Sequence, residues 1–474
     1  MPSAASEVEL DMIGLYAEQY RPQFHFTARE NWLNDPNGLV YYEGEYHLFF
    51  QHNSTGQEWG IMSWGHAVST DLVHWEQLDN AMDPDRLGTI FSGSAVVDWA
   101  NTAGFQTGTE PALVAFYTSA GDTWPESAGM PFTQSIAYSN DRGRTWEKYR
   151  GNPVVPQIVG WNRDPKVTWY RPGGFWVMAL YLDECSFTLL TSKDMKSWKR
   201  IQTLTIPGSK ECPDFFELPV DGDPDETKWI FSGANGLYYV GTFDGESFTP
   251  EEGPYAMCDG ENFYAVQTYS DIPPSDGRCI QIAWMAGGIY PGMPFNQQMS
   301  FPCSVTLRRF ADGVRLCRNP VREIETLYAA THEFRDITVT PSDNPLSEVH
   351  GSLFDLLLEF PPDPAAVLTL KIHGHEIRYT ADTKALSCLG TTVTVEPDAG
   401  HIHLRILVDR TSIELFANEG RVSLSCCMLP TESGIGLFSE SGPLTVPLLV
   451  VHELRSAWRP VTERYDGTDL ISIL

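Results

Sequence analysis

Apolar residues recur in short bursts along most of this chain, and the bursts come in pairs. Five strongly apolar runs occupy 45–50, 112–118, 174–181, 228–232 and 279–285. Each follows another strand-like run, at 38–42, 92–98, 165–170, 214–220 and 263–269. Runs of this length, rich in β-branched and aromatic residues and bounded by Gly, Pro, Asn and Asp, predict strands. The first pair is joined by Glu43-Gly44-Glu45, which predicts a tight hairpin turn. A second signal keeps the same phase. Ser69, Asp71 and Trp75 recur as Ser139, Asp141 and Trp146, and again as Ser192, Asp194 and Trp198, with a weaker fourth copy at Asp244-Gly245-Glu246-Ser247-Phe248. A turn with an aromatic plug, returning at about the length of one four-stranded blade, predicts a five-bladed β-propeller over 21–320. A large β-sandwich with long loops would not need so regular a spacing.

The pattern changes near 321. Val321 to Ala330 predicts a short helix or linker, and the linker is placed at 321–335. From 336 the strands shorten and alternate. Leu404, Ile406 and Val408 share one face, Ile413 and Leu415 begin the next strand, and Leu444, Val446 and Leu448 repeat the pattern. Period-two alternation broken by frequent turns predicts a β-sandwich over 336–474. The fold class is therefore all-β, a propeller followed by a sandwich. Glu7 to Tyr20, ahead of the first strand, also reads as one short helix.

Composition narrows the chemistry. At 474 residues the chain is too long for one ordinary core. With 32 basic and 62 acidic residues, its formal net charge of -30 argues against nucleic acid and against an anionic membrane surface as partners. No apolar run is long enough for a transmembrane helix. Met1 to Leu15 lacks a basic start and an apolar core, so the chain as given is expected in the cytoplasm, or outside the cell if a leader has been removed. Nine Cys without paired spacing give neither a disulfide framework nor a zinc site. His373 and His375, like His401 and His403, have a metal-like spacing but read as solvent-facing strand positions. No metal and no cofactor is expected.

Three acids stand out against this background. Asp35, within Asn31-Trp32-Leu33-Asn34-Asp35-Pro36-Asn37-Gly38, opens the first hairpin. Asp164 opens the third, in Trp161-Asn162-Arg163-Asp164-Pro165, and Glu211 the fourth, in Lys210-Glu211-Cys212-Pro213-Asp214. The first strand of each blade lines a propeller's channel, so the three carboxylates should converge at one end of it. Grouped carboxylates repel and raise at least one pKa, a cost met mainly at functional sites. Calcium would want more oxygen ligands. Glycoside hydrolysis fits better, with one carboxylate attacking and a second donating a proton, at roughly 5–5.5 Å apart in retaining enzymes. Trp32, Trp59, Trp64, Phe91, Tyr264 and Trp284 fall near the same strand ends and could face sugar rings. Asn34, Gln51, Ser92 and Arg163 could bind hydroxyls. Cys212 has no basic neighbour in sequence and reads as a small buried residue. Residue types alone do not divide the roles among the three acids.

The motif from Asn31 to Gly38 resembles the opening signature of glycoside hydrolase family 32, the β-fructosidases. Arg163-Asp164-Pro165 and Glu211-Cys212-Pro213 resemble its second and third signatures. Phe91-Ser92-Gly93-Ser94, the segment Trp59 to His66, and Asp409-Arg410-Thr411-Ser412-Ile413-Glu414-Leu415-Phe416 are similar as well, so the likeness runs from about 21 to 460. The resemblance implies Asp35 as nucleophile, Glu211 as acid/base and Asp164 as transition-state stabiliser, with Arg163 tuning one of the acids. It implies that Asn34, Gln51, Trp59, Phe91, Ser92, Tyr264 and Trp284 line the first fructose pocket, that no cofactor is needed, and that configuration is retained. The implied activity is exo-hydrolysis of levan, inulin, fructo-oligosaccharides or sucrose. Leu33 stands where Met is frequent in the family, a swap of similar volume. The Gly/Pro-rich stretch 287–298 is expected at the channel rim, resembling fructan-degrading members. Fructosyl transfer on the same site, arabinan hydrolysis on the same fold, and silent fructan binding are the rival readings. A homodimer whose partner shapes the pocket rim is an expectation with no residue pattern behind it.

Overall fold

The computed structural model describes residues 15–458. Nearly all regular structure is strand. The helix read at 7–20 falls largely outside the described residues, and its described end, 15–20, is turn and bend.

Five antiparallel blades follow one another around a central channel. The innermost strands are Asn31–Tyr42, Thr89–Val97, Arg163–Tyr170, Asp214–Val220 and Tyr264–Thr268. Their hairpin partners are Glu45–Asn53, Leu113–Ala120, Phe175–Asp183, Asp223–Ser232 and Cys279–Trp284. These are the ten runs that the apolar pattern marks. The first begins seven residues before its apolar run, because the Asn-Asp-Pro-Asn stretch, though made of turn-forming residue types, is itself irregular strand. The actual turn is Glu43-Gly44, with φ of 49° and 91°. Left-handed backbone at both central positions is the hairpin turn whose twist matches its strands.

The recurring Ser-x-Asp-Trp signal becomes the turn between third and fourth strands. Ser69 Oγ donates to Asp71 Oδ1, which also accepts the backbone N–H groups of Val73 and His74. The Trp closes the turn, Nε1 of Trp75, Trp146 and Trp198 donating to the carbonyls of Leu72, Gly143 and Met195. The ring of blades closes where Val40 of the first blade bridges Ser270 of the fifth, and where Phe295–Asn296 pairs in parallel with Asn31 and Trp32.

After a 3-10 turn at Arg322–Leu327, the strand Tyr328–Val339 pairs along Leu444–Leu454. Sandwich pairing thus begins inside the stretch read as a linker, whose polar, exposed residues hide an edge strand. A six-stranded sheet packs face to face against a five-stranded one, and both are antiparallel. Leu404, Ile406, Val408, Ile413 and Leu415 point into the sandwich core, while Leu407 and Phe416 face the other way and join the core under the first blade. The pleat thus lets one sheet serve two cores.

Polar ties fasten the two halves. His25, in the segment that leads into the first blade, has no exposed surface, and its ring nitrogens sit 2.9 Å from Asp409 Oδ2 and 2.8 Å from Glu414 Oε2. Glu414 also accepts the N–H of Phe301, and Asp409 those of Gln23, Phe24 and His25. Burial opposes a charge on His25, but its hydrogen bonds and the two carboxylates outweigh this and hold it at about 9.

Candidate active site

In blades one, two, three and five the innermost strand breaks its regular pairing where it delivers a candidate residue, whereas Glu211 of blade four lies in the bend just ahead of its strand. In the first blade the register shifts on either side of Pro36, between Leu33 and Pro36 and between Asn37 and Val40. The second blade shifts between Phe91 and Gly93, around Ser92. The third shifts beside Arg163 and Asp164, and the fifth just after Tyr264. A bulge turns a side chain out of the ladder and toward the channel mouth. Asp164, Glu211 and Cys212 adopt left-handed backbone, with φ of 65°, 54° and 35°. Such conformations cost on the order of 1–3 kcal/mol each in a non-glycine residue and cluster where function demands them. Gly93 is fixed by space, because a Cβ there would lie 1.9 Å from the carbonyl oxygen of Phe116.

Asp35, Asp164 and Glu211 line one cavity of about 760 Å³ at the mouth of the channel. Asp35 Oδ2 accepts from Ser92 Oγ at 2.6 Å and from Cys212 Sγ at 3.4 Å, and Oδ1 accepts from Asn34 Nδ2 at 2.9 Å. Asp164 Oδ2 accepts the N–H of Cys212 at 3.0 Å and lies 3.5 Å from the same sulfur. Cys212 is thus the small buried residue expected, wedged between two carboxylates. Burial and the surrounding acids push its thiol up, away from the thiolate. Glu211 Oε1 accepts from Arg163 Nη2 at 2.7 Å and Oε2 from the Tyr264 hydroxyl at 2.5 Å. Arg163 is held in turn by the Trp161 carbonyl and by the ring of Tyr181.

The three acids stand in different surroundings. Asp164 is 4% exposed and Glu211 26%. Burial, with help from Asp35 and Glu211, pushes the Asp164 carboxyl up to about 7 against the pull of Arg163 and the Cys212 N–H.

Asn34, Gln51, Trp59, Phe91, Ser92, Arg163, Tyr264 and Trp284 all line the same cavity. Two aromatics named beside them do not. Trp64 is fully buried, donating to the Phe91 carbonyl. Trp32 stands edge-on to Trp284 and holds the Asn34 side chain through its Nε1. Both support the wall from behind, which position in sequence cannot distinguish from lining it.

The stretch 287–298 backs the wall, Gln297 Oε1 accepting from Trp284 Nε1, without lining the cavity itself. Tyr290 and Gln298 are buried instead, and Gln298 reaches Thr411 and Ser412 of the sandwich. The outer wall comes from 121–132 and from Gln157 and Trp161. Phe132 stacks on Trp161, whose ring is 70% exposed. The Gly-Asp-Thr-Trp-Pro stretch at 121–125 carries no periodic signal, and nothing in its sequence points here.

The sequence model of the glycosyl hydrolases family 32 N-terminal domain matches residues 25–320, and that of the family's C-terminal domain matches 323–453. The chain belongs to glycoside hydrolase family 32. It is 41% identical to a levanase of Bacillus subtilis over 94% of this chain and 72% of that protein. It is 32% identical to an extracellular exo-inulinase of Aspergillus ficuum, across 94% of this chain and 96% of the other. The crystal structure of an exo-inulinase from Aspergillus awamori superposes with a TM-score of 0.83 at 29% identity, covering 94% of this chain and all of that one. The family 32 motifs are the segments that carry the bulges and left-handed residues described above. The Asp409-to-Phe416 motif of the sandwich does not line the cavity and supplies both carboxylates that grip His25.

Proposed function

We propose that this family 32 chain is a retaining exo-β-fructosidase that releases terminal fructosyl units from fructans such as levan and inulin, and from sucrose. One observation carries the reading: three carboxylates from three blades meet in a single cavity whose walls are aromatic. Relatives named levanase and exo-inulinase support the choice of substrate class.

In the proposed cycle Asp35 attacks the anomeric carbon of the terminal fructosyl unit. Its carboxylate is oriented for this by Ser92 and Asn34. Glu211 gives its proton to the glycosidic oxygen as that bond breaks, and the rest of the chain leaves as an alcohol. Glu211 then takes a proton from water. The resulting hydroxide displaces Asp35 and frees fructose with its configuration retained. Asp164, beside Arg163 and pressed against Cys212, binds fructosyl hydroxyls and gains most from them as positive charge develops on the ring. Trp59 and Phe91 meet edge to face at 6.0 Å and frame the pocket, while Phe132 and Trp161 offer a platform to the departing portion.

The test is a time-resolved product profile on levan, inulin and sucrose, run beside the Asp35→Ala variant. Fructose alone from the earliest times, with turnover down by about 10⁴-fold or more in the variant, supports the reading. Early oligosaccharides, difructose or transfer products would replace exo-hydrolysis with endo-action or fructosyl transfer. Silence of the unaltered protein on all three substrates would leave binding alone.

A further inference from the structure

The channel has a second mouth. A cavity of about 540 Å³ opens on the other side of the channel, lined where blades two, three and five finish their innermost strands and by Phe215, Phe216 and Glu217 within that of blade four. It shares no residue with the catalytic cavity. A buried ion pair lies between them: Lys166 Nζ sits 3.1 Å from Asp214 Oδ1 and donates to the Thr268 carbonyl at 2.7 Å. Both members are almost wholly inaccessible, so the pair plugs the channel.

Two indoles stand exposed at this mouth, Trp99 at 58% and Trp169 at 37%. Neither is a loose surface side chain. Trp99 Nε1 donates to Asp271 Oδ1 at 2.8 Å, and the other oxygen of that carboxylate accepts the Val97 N–H at 2.9 Å. Trp169 packs edge-on against Trp176 at 4.8 Å, and Trp176 is fixed through its Nε1 to Thr102 Oγ1 at 2.9 Å. Trp99 is therefore braced by its own hydrogen bond and Trp169 by packing on an anchored ring, while a large part of each surface is left to water. Large exposed apolar surface is unfavourable, and bracing it removes the freedom that would hide it. Beside the rings lies Arg171, exposed, lining the same cavity and without a side-chain hydrogen bond or ion pair among the described residues.

We propose that this mouth is a second carbohydrate-binding site, which holds a neutral fructan segment while another chain end occupies the catalytic cavity. The chemistry matches a sugar better than a protein surface. Braced ring faces suit the apolar C–H faces of a furanose, the Arg171 guanidinium offers free donors to hydroxyl oxygens, and the volume is that of a small-ligand site rather than a flat interface. Because the plug separates the two mouths, occupancy here adds affinity for a long polymer without blocking turnover. The identity of the sugar rests on the proposed fructosidase reading.

The test combines Trp99→Ala with Trp169→Ala in the full chain, with Arg171→Ala as an independent variant. Both rings also contact their neighbours, so the unfolding temperature is followed beside binding, and Arg171→Ala, which removes no hydrogen bond or ion pair among the described residues, keeps the proposal falsifiable if the double variant is destabilised. Calorimetry with a short fructo-oligosaccharide on the Asp35→Ala protein should find two sites, and one after the tryptophans are removed. With Asp35 intact, the double variant should show a KM on polymeric levan or inulin raised about tenfold and an unaltered kcat/KM on sucrose. A single calorimetric site before any tryptophan is changed, or polymer kinetics unmoved by the double variant and by Arg171→Ala, would overturn the proposal. So would loss of self-association, in place of loss of polymer affinity, on removing the rings. Absence of turnover on every fructan and on sucrose would instead strike the fructosidase reading, which the sucrose arm isolates.

Discussion

Removing the imidazole of His25 should cost this protein several kcal/mol of stability, and the size of the loss should depend on pH in a defined way. His25 is inaccessible and bridges Asp409 and Glu414. Its folded pKa of about 9, against an ordinary value of 6.5, corresponds to roughly 3 kcal/mol of preference for the charged form. Truncating one member of a buried ion network costs a similar ~3–5 kcal/mol, because the charges left behind lose their partner. In His25→Ala two carboxylates would face one another across a void. The sign follows from linkage. A raised histidine pKa contributes fully below about 6.5, and the contribution disappears as pH climbs through 9. Burial would raise Asp409 and Glu414, but the bonds and charge of His25 bring both below the usual carboxylate range, so their share disappears only in acid. The stability difference between the natural chain and His25→Ala should therefore be largest near pH 5–6.5 and shrink toward pH 10. Urea unfolding followed by tryptophan fluorescence at pH 6, 8 and 10 measures it. A difference below about 1 kcal/mol at pH 6, or one that stays flat to pH 10, would refute the reasoning.

Three further outcomes are expected. Tyr264→Phe removes the 2.5 Å hydrogen bond to Glu211 Oε2 and should lower kcat/KM by about 10–100-fold, the worth of a charge-assisted bond. An unchanged kcat/KM would mean that the hydroxyl does not act on Glu211. Asp164→Asn should abolish turnover yet raise the unfolding temperature. The raised folded pKa means that ionising Asp164 opposes folding, so the gain should grow from pH 4 to pH 8, and a gain independent of pH would contradict the assigned burial cost. Trp161→Ala should raise KM for fructo-oligosaccharides about tenfold and change the rate on sucrose far less, because its exposed ring lies at the outer wall.

The amino-acid order by itself determined the repeat and its phase. Apolar pairs, the Ser-x-Asp-Trp turns and Glu43-Gly44 are local signals, since alternation and turn chemistry act between residues a few positions apart. Once the blade phase is known, Asp35, Asp164 and Glu211 must arrive at one end of the channel, and the cavity gathers all three. Local signals could not show that Trp32 and Trp64 stand behind the wall rather than in it, or that the edge strand of the sandwich starts at Tyr328 among polar residues. They could not show that 121–132 contributes to the cavity wall. Nor could they pair His25 with carboxylates more than 380 positions away, or seat Cys212 between two acids. Those features depend on which surfaces meet when blades and sandwich pack. Packing between distant segments is decided by shape and by the need to satisfy buried polar groups, neither of which leaves a period in the sequence.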